Sequence, residues 1–72
     1  MTRSEIVLEQ AARELDAFRV NFVRDNCRSS HDTIAFACAM AEQAGIIFVA
    51  VCGRETAVRQ FRLMADDLAR PV

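Results

Sequence analysis

The run Ile46-Ile47-Phe48-Val49-Ala50-Val51-Cys52, bracketed by Gly45 and Gly53, decides how the chain folds. Four of its seven apolar residues, Ile46, Ile47, Val49 and Val51, are β-branched. Such a run suits a buried strand as well as a buried helix, and periodicity inside it does not separate the two. The residues on either side do. Upstream, Ile34, Ala37, Ala41, Ala44, Phe48 and Val51 recur at intervals of three and four, and Val58, Phe61, Ala65 and Leu68 continue the rhythm downstream. A helix carries its own backbone hydrogen bonds, whereas a lone strand has no partner within this chain and needs a second subunit. Helix is the expectation for 46–52, with an intermolecular strand as the alternative.

Working outward, Thr2 stands three residues before Glu5, a capping-box spacing. Leu8, Ala11, Leu15, Phe18 and Phe22 follow at 3-4-3-4 intervals, the seam of a helix that packs lengthwise on another. Glu5 and Glu9 near its start and Arg19, Arg24 and Arg28 near its end complement the helix dipole. This predicts a helix over about 3–27. Ser29 or Ser30 then caps a second helix, 31–52, with Asp32 in its first turn. A short connection between two long helices predicts an antiparallel hairpin. Gly53 either kinks the second helix or divides it, and a last helix, 54–69, ends at Arg70-Pro71. Glu55–Arg59, Arg62–Asp66 and Asp66–Arg70 are expected (i, i+4) pairs along it. The expected fold is a single all-α domain over 1–72, a helical hairpin or three-helix protomer.

Seventy-two residues and 8.1 kDa allow only one small domain. A compact monomer of that mass exposes about 4,500 Å² and buries only ~60% of its unfolded surface. Yet 53% of the residues are hydrophobic and 26% charged, which excludes intrinsic disorder and points to more apolar surface than one small globule hides. The middle helix carries two apolar stripes. One is Ile34, Ala37, Ala41, Gly45, Phe48 and Cys52; the other is Phe36, Met40, Ile47 and Val51. The first stripe can bury against the first helix, with Ala37, Ala41 and Gly45 allowing close backbone approach. The second then needs another surface, which a two-fold homodimer supplies. Phe36, Met40, Ile47 and Val51 are therefore the expected self-association face.

Nine basic residues, all arginine, against ten acidic ones leave a net charge of −1, which gives no general attraction to nucleic acid. Cys27, Cys38 and Cys52 form an odd set with no CxxC pair, as expected of reduced thiols in a cytoplasmic protein. Met1-Thr2-Arg3-Ser4-Glu5 shows no apolar stretch of the secretory type. Ser30-His31-Asp32 has the residue types of a catalytic triad, but sequence neighbours do not converge as a nucleophile and its base must, and caps explain them. No metal, cofactor or catalytic residue is expected, and an enzyme is not. Residues 34–52 are long enough to cross a bilayer, but Glu42 falls near their centre, so no membrane role is expected.

Met40-Ala41-Glu42-Gln43-Ala44-Gly45-Ile46 resembles the end of the first helix and the turn of helix-turn-helix DNA-binding proteins, with Ala41 four residues before the turn glycine. That resemblance implies a polar base-reading helix just beyond the turn. The chain instead continues with 47–52, which offers no side chain able to hydrogen-bond a base edge. The leading expectation is a small protein-interaction module that binds and modulates another protein, such as an antiactivator or a phage- or plasmid-encoded inhibitor. The alternative is a helix-turn-helix-like DNA-binding regulator. Arg54, Arg59 and Arg62 are the expected partner-binding residues, since arginine clamps acidic groups and is enriched at binding hot spots.

Overall fold

A threonine hydroxyl starts the first helix. Thr2 Oγ1 accepts the Glu5 N–H at 3.2 Å and lies 3.2 Å from Glu5 Oε1, so the cap is in place while the Glu5 carboxylate turns to the hydroxyl. The helix it opens, α1, runs Arg3–Asn26 in the computed structural model, which describes residues 1–71. Asn26 Nδ2 donates to the Phe22 carbonyl at 3.1 Å, and Cys27 N–H closes on Val23 O. Ser29 Oγ accepts the Asp32 N–H at 3.3 Å, while the Asp32 carboxylate accepts the Arg28 N–H at 2.9 Å. These two bonds fasten both sides of the connection and start α2, Ser30–Cys52. A third helix, α3, spans Arg54–Ala69. The described residues contain three helices and no strand, so the chain is all-α. The run 46–52 forms the last two turns of α2, and the strand alternative falls. Its β-branched residues have a mild preference for strand, which is smaller than the cost of a strand's unpaired backbone.

Gly53 divides α2 from α3. It takes φ +86°, a left-handed conformation favouring glycine, while its N–H donates to Val49 O at 3.0 Å and its carbonyl accepts the Ala57 N–H at 3.0 Å. A Cβ there would meet no atom within 4 Å, so an L side chain is opposed by backbone strain alone. Gly53→Ala should therefore destabilise the protein by about 1–2 kcal/mol in urea unfolding. D-alanine at the same position, introduced by chemical ligation, should match or exceed the native stability. Equal losses for both alanines would show that φ is not the cause.

The chain forms two compact units, Met1–Phe36 and a second beginning at Ala37, with the boundary inside α2. In the first, Phe22 and Phe36 stack with centroids 4.6 Å apart and rings inclined by 14°. Phe18 stands 5.8 Å from Phe22 and 6.0 Å from Phe36. Of the seam read on α1, Ala11 and Phe22 are half-buried, but Leu8, Leu15 and Phe18 remain exposed. In the second unit, Phe48 and Phe61 meet edge to face at 5.8 Å. Ala57 is the only buried residue among those described, and no residue of α2 is buried.

Candidate functional site

Two small residues open a groove in the second unit. Gly45 on α2 has no side chain, and Ala57 on α3 contributes only a methyl group. Together with Val49, Arg54, Val58, Phe61 and Arg62 they line a space of about 450 Å³. A Cβ built on Gly45 would lie 3.8 Å from Phe61 Cε2, so the ring passes close to the glycine. Gly45 and Val49, one turn apart, belong to the α2 wall. On α3, Arg54, Val58 and Arg62 follow at (i, i+4, i+8) and edge the groove as cation, apolar group, cation.

The three arginines expected to bind a partner are thus separated by the fold. Arg54 and Arg62 line the groove, and neither has an ion-pair partner among the described residues. Arg59 lies outside its lining and sits 3.8 Å from the Glu55 carboxylate. Of the ion pairs expected on α3, Glu55–Arg59 alone forms. Arg70 turns to Asp67 at 3.2 Å in place of Asp66, and the expected Arg62–Asp66 pair does not form. The exposed setting explains the choice, since such pairs differ by only tenths of a kcal/mol.

The expected self-association residues are also divided. Phe36 stacks on Phe22 within the chain and is half-buried, as is Met40. Ile47 and Val51 are 63% and 78% exposed. They join Ile34, Ile46 and Val49 among the large exposed aliphatic side chains of α2. Ala37 and Ala41 are exposed as well, and of the expected small-residue ridge Gly45 alone is half-buried, close to Phe61. The stretch 40–46 lies inside α2, which passes Gly45 without a turn, so the turn of a helix-turn-helix is missing there. Ser30, His31 and Asp32 form the first turn of α2, with Asp32 engaged in capping. Cys27 is half-buried, and Cys38 and Cys52 are exposed free thiols.

Sequence reasoning singled out the arginines but missed Val49 and Ala57 as parts of one site. A signal was present in the (i, i+4, i+8) order of Arg54, Val58 and Arg62. Which residues of α2 stand opposite them follows only from packing. Fold and groove together define a small all-α protein with an apolar, arginine-edged cleft. Comparison with known protein families, curated proteins and solved structures finds no match.

Proposed function

We propose that this protein is a homodimeric helical interaction module that binds another protein and modulates or inhibits it in the cytoplasm. The observation that carries this reading is the shortage of burial. No residue of α2 is buried, and Ile34, Ile46, Ile47, Val49 and Val51 stand exposed along it. A helix apolar nearly all round needs cover, which a second copy and a foreign protein supply. In this reading α1 and α2 form an antiparallel hairpin, and Ile47 and Val51 lie at the centre of the dimer contact.

One observation favours a second reading. Ser30–Cys52 is long and apolar enough to cross a membrane, and none of it is buried. Glu42 and Gln43 near its centre oppose insertion, because a carboxylate at mid-bilayer costs about 2.5–3.5 kcal/mol on insertion scales. Sedimentation equilibrium in detergent-free buffer, with vesicle flotation alongside, distinguishes the two. A dimer that stays out of floating phosphatidylcholine–phosphatidylglycerol vesicles is the expected result. A monomer in buffer, or quantitative flotation with carbonate-resistant binding, would overturn it.

A further inference from the structure

Resting on the reading of the protein as an interaction module, we propose that the groove lined by Gly45, Val49 and Phe61 takes an acidic amphipathic helix of another protein, one with two carboxylates two turns apart flanking a large apolar residue. Three features define this occupant. The groove's uncharged side chains are all apolar, from Val49, Ala57, Val58 and Phe61. Its two charged lining residues are both arginines, neither of them paired among the described residues, in a chain whose net charge is −1. Arg54 and Arg62 are eight residues apart on one helix, a span of roughly 12 Å. A partner helix laid along α3 meets that span with carboxylates at (i, i+7) or (i, i+8), and its intervening apolar side chain enters the groove beside Val58. Guanidinium groups suit this role because they bind carboxylates through two parallel hydrogen bonds.

The occupant is not a second copy of this chain. Among the ten acidic residues, only Glu9 and Asp16 stand seven or eight apart within one helix, and Ala12 and Arg13 lie between them. Alanine is too small to fill the groove, and Arg13 would face Arg54 or Arg62. Asp25 and Asp32 have the same separation but straddle the connection between α1 and α2. The protein thus has a cationic, apolar cleft that none of its own helices complements.

The test is fluorescence anisotropy with a lactam-bridged, alanine-rich helical peptide carrying two glutamates seven residues apart around a leucine. Its counterpart has lysines in place of the glutamates. The native protein should bind the glutamate peptide at least about tenfold more tightly than the lysine peptide. R54E/R62E should reverse that preference, and R59E should change it by less than about threefold. Val58→Glu should abolish glutamate-peptide binding, because its carboxylate would engage Arg54 and Arg62 on their own helix, an (i, i+4) arrangement that also supports the helix. Equal binding of the two peptides, or of neither, would overturn the proposal, as would an R59E loss matching that of R54E/R62E. Displacement of the peptide by a DNA duplex through all three arginines would assign the strip to phosphates instead. Binding that appears only in the I47D/V51D variant would show that a second copy covers the groove. Sedimentation of the same samples separates the two ideas: a monomer that selects the glutamate peptide removes the dimer and leaves the groove assignment standing.

Discussion

Aspartate at both Ile47 and Val51 is expected to convert the proposed dimer of about 16 kDa, twice the 8.1 kDa chain, into a monomer. Both side chains are more than half exposed within the chain, so their replacement removes little intrachain packing. The loss falls on association. Each buried aliphatic side chain is worth about 1.5–3 kcal/mol, and a two-fold contact uses every one twice. The aspartates add the cost of desolvating carboxylates. A weakening of at least a thousandfold follows, taking about 1.4 kcal/mol per factor of ten. Sedimentation equilibrium over a wide concentration range measures it, with far-UV circular dichroism as the check on helix content. A variant that remains a dimer would place the self-association face elsewhere.

The second large effect is expected at the aromatic cluster. Phe36 belongs to the first unit through its stack on Phe22 and its approach to Phe18. A fully buried Phe→Ala change costs about 3–5 kcal/mol, and Phe36 is half-buried, so about 2 kcal/mol is expected. In a domain this small that is a large part of the total stability of roughly 3–5 kcal/mol. It corresponds to a fall in Tm of about 10 °C. Amide exchange of α1 should accelerate, while protection around Phe48 and Phe61 in the second unit is retained. The double variant F22A/F36A should cost less than the sum of the single changes by about 1 kcal/mol, the worth of the stack itself. Additive losses would show that the rings contribute area but no mutual interaction.

The helices were legible because their signals are local. Thr2 caps from the position its spacing indicates, Ser29 is the one of the two candidate serines that accepts the Asp32 N–H, and Gly53, read as a kink or a break, is a break. The face each helix turns to its neighbour was less legible. On α1, Leu8 and Leu15 follow the seam as regularly as Phe22, yet only Phe22 and Ala11 among its members gain cover. On α2, the rhythm that runs through Phe36, Met40, Ile47 and Val51 groups residues that packing then divides. A helix apolar nearly all round carries no contrast from which to read its inward side.

The same limit applies to the groove. Spacing puts Arg54 and Arg62 on one face of a helix and Arg59 off it, but does not say what that face meets. That Arg54 and Arg62 line an apolar cleft depends on the way α3 turns Ala57 and Phe61 towards Gly45. The sequence by itself determined the cap at Thr2, a disturbance at Gly53, an excess of apolar side chains and a preference for helix that left 46–52 open to strand, because backbone hydrogen bonding and residue preference act over a turn or two. Tertiary structure alone decided that Phe36 closes on Phe22, that Arg59 lies outside the cleft, and that the absent side chain of Gly45 becomes a wall. Those outcomes depend on contacts between residues distant in the chain, where the shape of one helix surface selects what the other presents.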